Sequence, residues 1–258
     1  MTSELFLAAP DIALLLGVAA VAFVAAFVKG VVGFAYPMVM ISGLSFLVEL
    51  EIAVALLILP LLLVNVVQAL QFGLREAWRM SVRQWPIVVS LCLTLMVTAR
   101  FVTLLSSEVI WLVLGITIAS VSGIQLAGWK FRIAPRFHRT CELLAGVGAG
   151  FCGGFAGVWA PLIVTYFVSI DLPKRESILA QGVIYSWGAI ALTIAHQRTD
   201  VLNADTTLFS ILLVLPSVAG LLLGLALNSR LNSPAFRFWT QIALIGAGLN
   251  LIGRAAWG

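Results

Sequence analysis

Apolar residues run along this chain in stretches too long and too dense for the single stripe of an ordinary surface helix. Ten segments can be marked, at approximately 11–28, 31–48, 51–73, 86–105, 108–127, 141–158, 160–170, 176–196, 206–227 and 238–254, most of them separated by charged or helix-breaking residues. Several approach the roughly 20 residues that a helix needs to cross a bilayer core. The ~10-residue in-and-out alternation of an outer-membrane barrel is missing. The pattern predicts an all-α integral membrane protein. The segment at 160–170 is too short to span alone at ~1.5 Å per residue. The pair at 141–170 therefore reads either as two crossings or as a re-entrant hairpin.

Composition supports this reading. Of 258 residues 62% are hydrophobic and 10% charged, against about 25% charged in soluble domains. The partner in contact with most of the surface is the lipid bilayer. The net charge of +4 does not imply a nucleic-acid partner, because the basic residues flank the apolar segments. Cytoplasmic loops are enriched in Lys and Arg, which sets an orientation. Arg75, Arg79, Arg83, Lys130, Arg132, Arg136, Arg139, Lys29, Lys174, Arg175, Arg230 and Arg237 fall inside. Arg198 and Arg254 fall outside, Arg100 lies within a segment, and both termini are expected outside. The N-terminal MTSELFLAAPD has no Lys or Arg, so the first apolar run is expected to be a retained helix.

Two stretches interrupt the hydrocarbon in the same way. Gly30-Val-Val-Gly33-Phe-Ala-Tyr-Pro37 and Gly154-Phe-Ala-Gly157-Val-Trp-Ala-Pro161 both read GxxGxxxP, 124 residues apart. Each copy follows one apolar segment and precedes about three more. Residues 1–127 and 141–258 then form two five-segment membrane repeats joined by a basic cytoplasmic linker, 128–140. Five is odd, so the halves are expected to be inverted. The loops agree: Glu49 and Glu51 outside match Lys174 and Arg175 inside, and the Arg75, Arg79 and Arg83 cluster inside matches Arg198, Asp200 and Asp205 outside. Inverted repeats are typical of secondary transporters, whose sites lie near the midplane.

Proline suits the first turn of a helix, where its missing N–H costs nothing, and glycine permits unwound backbone and close approach. Each motif predicts a helix break followed by a new helix starting near Pro37 or Pro161. A helix start presents free N–H groups and about +0.5 of a charge. Two such starts near the midplane would form an anion site made largely of backbone. The competing reading is that the glycines only let helices pack closely. Candidate substrate-binding residues are Lys29, Gly30, Gly33, Phe34, Tyr36, Pro37, Asn65, Gln68, Gly154, Gly157, Trp159, Pro161, Gln181 and Tyr185. Lys29 is either a cation for the anion or a lysine snorkelling to the interface; Gly153 takes its place in the second copy. Asn65, Gln68, Gln181 and Tyr185 line the path or join helices by hydrogen bonds. Tyr36 and Trp159 shape the cavity or pack. Arg100 is an intramembrane charge or another snorkelling side chain.

No carboxylate falls inside a segment; all eleven acidic residues sit at segment ends or in loops. Export of an anion from a negative-inside cell needs none, since the potential contributes ~2.3 kcal/mol per charge per 100 mV. The three cysteines are odd in number and lack a CxxC, so no metal site or cofactor is expected. Two histidines outside the apolar core offer no catalytic cluster, and no enzyme activity is expected.

With these residues in view, the chain resembles the TauE/SafE family of sulfite exporters and related anion permeases. The resemblance rests on KGVVGFAYPMVM and GFCGGFAGVWAPLIVTYF, with AVALLILPLLLVNVVQAL and LPSVAGLLLGLALNSRLNSPAFRFW, and extends from about residue 15 to 252. It implies an inner-membrane exporter of small anions such as sulfite, sulfoacetate or related organosulfonates. A passive anion channel on the same scaffold is the alternative. A homodimer is a further expectation left open.

Overall fold

The computed structural model describes residues 11–101, 106–128, 133–156, 158–170, 172–196, 204–228 and 234–257. Among them the chain is helical, with no strand. The first half contains α1 (Ile12–Val32), α2 (Tyr36–Leu44), α3 (Leu50–Leu70), α4 (Leu74–Arg83), α5 (Trp85–Thr98) and α6 (Ser107–Leu126). The second contains α7 (His138–Ala156), α8 (Ala160–Ser169), α9 (Lys174–His196), α10 (Ala204–Leu212), α11 (Val214–Asn228) and α12 (Pro234–Trp257).

Local chemistry explains where the helices begin and stop. Asp11 caps α1, its Oδ1 accepting from Ala13 N at 3.3 Å, as an N-cap carboxylate should. α1 ends because Gly33 turns left-handed, φ 89°, and returns its N–H to Lys29 O at 2.6 Å. This is the ordinary glycine helix stop. α2 follows Ala35, which holds φ 80°, and has Pro37 as its second residue. The apolar run at 31–48 is therefore the end of one helix, a break and a helix of 9 residues, not one continuous segment. The short α8 of 10 residues stands in the same position in the second half.

Proline need not break a helix if its lost partner is replaced. Pro60 lies inside α3 and cannot donate to the carbonyl of Leu56. Ser210 of α10 supplies the donor, its Oγ reaching Leu56 O at 3.2 Å. α3 continues unbroken for 21 residues.

The basic cluster Arg75, Arg79 and Arg83 lies on a helix, α4, where the sequence suggests a loop. Leu74, Trp78 and Val82 recur every fourth position on it and are exposed. α4 meets α5 at 78°. An apolar stripe flanked by arginines suits a helix lying in the membrane interface. The run at 206–227 is likewise two helices, joined at Leu213.

Four described helical stretches are long and apolar enough to cross a membrane: Ile12–Val32, Leu50–Leu70, Arg175–Ala195 and Thr206–Asn228, the last taking α10 and α11 together. The bent pair Leu74–Arg83 and Trp85–Phe101 makes a fifth if counted as one span. The chain is thus a multi-pass helical membrane protein.

The helices pack in pairs drawn from the two halves of the chain. α1 lies on α11 and α5 on α7; α3 pairs with α9 and α6 with α12. Backbones touch at glycines. A Cβ on Gly30 would lie 2.8 Å from Gly224 Cα of α11. One on Gly154 would lie 2.8 Å from Ala99 N, at the end of α5, and collide with Thr98 Oγ1. The buried centre is formed by α3 and α9, with the breaks at 33–35 and at 158–159 on either side.

Candidate functional site

The centre begins with the left-handed turn at Gly33. Its carbonyl, released from helix geometry, accepts from Gln68 Nε2 at 3.0 Å. The same nitrogen reaches Ile178 O of α9 at 3.3 Å. Gln68 thus joins the end of α1, α3 and α9. One turn earlier on α3, Asn65 Nδ2 donates to Tyr185 O at 3.3 Å. Gln181 Nε2 is held by Ser177 Oγ at 3.0 Å, and Gln181 Oε1 sits only 3.3 Å from where a Cβ on Gly33 would be. Each carboxamide is anchored through its nitrogen. The oxygens Asn65 Oδ1, Gln68 Oε1 and Gln181 Oε1 are buried and have no hydrogen-bond partner among the described residues.

Lys29 is the one lysine the sequence places beside a GxxGxxxP motif, and it is 2% exposed. Its Nζ stands 5.4 Å from the centroid of the Tyr185 ring, within cation–π range. Among the described residues no acid pairs with it. The salt bridges among the described residues include Arg79–Glu76, Arg83–Glu176 and Arg139–Glu142, which involve the arginines of α4 and α7. A buried cation with only a ring for company is costly, and that cost falls when a counter-ion arrives.

Tyr185 is where the two breaks meet. Its ring faces Lys29 from the first half. Its hydroxyl donates to Ala160 O, at the start of α8, at 3.3 Å. Trp159, just before α8, packs 6.4 Å from it, ring centroid to centroid, tilted by 50°. Trp159 also covers Gly153, where a Cβ would come 2.7 Å from its Cε3.

The other candidates are distributed around this centre. Tyr36 is fully buried and its hydroxyl is 2.9 Å from Ser217 Oγ on α11. Pro37 is buried in the first turn of α2, and Phe34 belongs to the apolar core. Pro161 is the second residue of α8. Gly30 and Gly154 face α11 and α5, so they act as helix contact points away from the carboxamides. Gly157 lies outside the described residues, as do the loop charges Lys130, Arg132, Asp171, Arg198, Asp200 and Arg230. Arg100 is exposed in a short 3-10 turn after α5. Sequence reasoning missed Ser217, Ser210 and the carbonyl of Ile178. Small hydroxyls and backbone atoms leave little pattern in a sequence.

A groove of ≈ 260 Å³ lies between α4, α5 and α9, lined by Trp78, Ser81, Val82, Trp85, Val88, Val89 and Trp187. Its walls are almost wholly apolar and include none of the central residues, so the polar centre, not the groove, is the candidate for binding a charged solute. Among the described residues no three of His, Cys, Asp and Glu gather as a metal site would require.

Helix breaks beside a buried polar centre, with no acid paired to Lys29 among the described residues, are features found in membrane transport proteins. The family model for the sulfite exporter TauE/SafE matches residues 18–251, and the chain belongs to that family. Neither curated proteins nor solved structures yield a match to it.

Proposed function

We propose that the protein exports small, sulfur-containing anions across the bacterial inner membrane by alternating access at a midplane site, without catalytic chemistry. Sulfite, sulfoacetate and related organosulfonates are the candidate cargo. The observation that carries the reading is Lys29, buried beside a helix break with no acid paired to it among the described residues, in a chain of the TauE/SafE family. The anion takes the place of the missing counter-ion. The start of α2, which has no side-chain cap, offers backbone N–H groups to it; the start of α8 is assigned the same role from the opposite side.

The two halves, 1–127 and 141–258, are read as inverted repeats. Supporting this, the α1–α11 contact has its counterpart in α7–α5, while α3–α9 and α6–α12 each pair equivalent helices. Alternating access would then be a rocking of one half against the other around Tyr185. The termini are assigned to the outer side, and a homodimer is compatible with this arrangement.

Reconstituted vesicles loaded with labelled sulfite test the reading. Efflux should saturate, show counterflow with unlabelled sulfite, and fall at least about tenfold in Lys29→Ala, the scale of a lost buried charge contact. Large non-saturating currents would instead identify a channel. Undiminished, saturable efflux by a correctly inserted Lys29→Ala variant would remove Lys29 from the site.

A further inference from the structure

The unpartnered oxygens at the centre ask for something an anion alone does not provide. Buried polar atoms are nearly always hydrogen-bonded, yet Asn65 Oδ1, Gln68 Oε1 and Gln181 Oε1 are not. The residues are 0%, 1% and 4% exposed. For Asn65 and Gln68 the direction of the amide is fixed, because the nitrogen faces backbone carbonyls, which only accept. The oxygen of each is therefore the free end. A carboxamide oxygen is an acceptor; it repels an anionic oxygen and attracts a donor hydrogen or a cation.

A metal cation fits poorly. Asn65 bonds the carbonyl of Tyr185, whose ring faces Lys29 Nζ. A free cation would enter beside an uncompensated ammonium. A single ligand that is anionic at one end and a hydrogen-bond donor at the other satisfies both features.

On the reading of this centre as an anion site, we infer that its ligand carries its own donor, a hydroxyl, ammonium or acid O–H, which Asn65 Oδ1 and Gln68 Oε1 accept while Lys29 faces the anionic group. Gln181 Oε1, beside Gly33, is the third acceptor. The site therefore discriminates among anions of equal size by whether they can donate.

Isethionate and propanesulfonate test this directly, being sulfonates of nearly the same shape that differ by a hydroxyl against a methyl group. Binding is read by thermal stabilisation of the purified full chain, with sulfite as a reference. Isethionate should bind at least about tenfold more tightly, since sites built to hydrogen-bond a hydroxyl reject the analogue lacking it. Gln181→Met, which removes the third acceptor along with the Ser177 contact, should lower that preference several-fold. Equal binding of the two sulfonates would overturn the inference and leave the anion site standing. Stabilisation by sodium chloride as strong as by sodium isethionate would also overturn it. If sulfite and both sulfonates fail to bind, the anion reading falls, and this inference with it.

Discussion

The two helix breaks share a motif and differ at one decisive position. In the first, Lys29 precedes the glycines, is buried, and reaches across to Tyr185. In the second, Gly153 stands in that place, and the space a side chain would take is filled by Trp159. Both converge on Tyr185, one with a charge and one with a ring. The GxxGxxxP motif thus occurs twice, while the lysine before it occurs once. On the proposed inverted-repeat reading, that single positive side chain gives the centre a charged wall and an aromatic wall.

Substitutions at matching positions sharpen this difference. The largest effect on stability is expected at Gly154→Leu, which drives a side chain into Thr98 and the backbone of Ala99. Overpacking of this kind costs about 3 kcal/mol or more, and a large fall in thermal midpoint in detergent should report it. Gly153→Ala meets the Trp159 ring most closely, at 2.7 Å, and should cost about 1–3 kcal/mol. Anion-dependent stabilisation should survive in this variant, because the lysine is on the other wall. Gly33→Ala must adopt φ 89°, a left-handed strain of roughly 1–2 kcal/mol. Its methyl would also press on Gln181 Oε1, so it should weaken anion binding where Gly153→Ala does not. Tyr36→Phe removes the bond to Ser217 and should be the mildest, about 0.5–1.5 kcal/mol. Equal loss of anion binding in Gly33→Ala and Gly153→Ala would break the contrast between the two walls.

Much of this arrangement was readable in the sequence because backbone rules act locally. Gly33 and Pro37 announce a stop and a start within five residues, and the structure ends α1 at Val32 and begins α2 at Tyr36. The length of α2 was not readable, since apolar residues continue past Leu44 without a period that marks its end. α4 was hidden for a different reason. Its arginines suggest a loop, although Leu74, Trp78 and Val82 keep a helical spacing of four. Pro60 leaves the Leu56 carbonyl without its helical donor, and only the arrival of Ser210, far along the chain, shows how that carbonyl is satisfied. At the centre, Asn65, Gln68, Gln181 and Tyr185 stood out as polar groups within apolar runs. That the nitrogens would be tied down and the oxygens left free depends on which carbonyls face them, and that is a tertiary fact.

The absence of acids from the apolar segments bears on energetics. An exported anion moves down the electrical gradient, worth ~2.3 kcal/mol per charge per 100 mV. Efflux from vesicles should slow when the interior potential is clamped from strongly negative to zero, and an unchanged rate would point to a coupled ion.

The most direct measurement compares wild type with Lys29→Ala in a thermal-stabilisation series against sulfite, sulfoacetate, sulfate, taurine and carboxylate analogues. Small sulfur-containing anions should raise the midpoint of the wild type in a saturable way. Lys29→Ala should insert normally and lose most of that response. A variant stabilised by the same anions at the same concentrations as the wild type would contradict the placement of the anion beside Lys29.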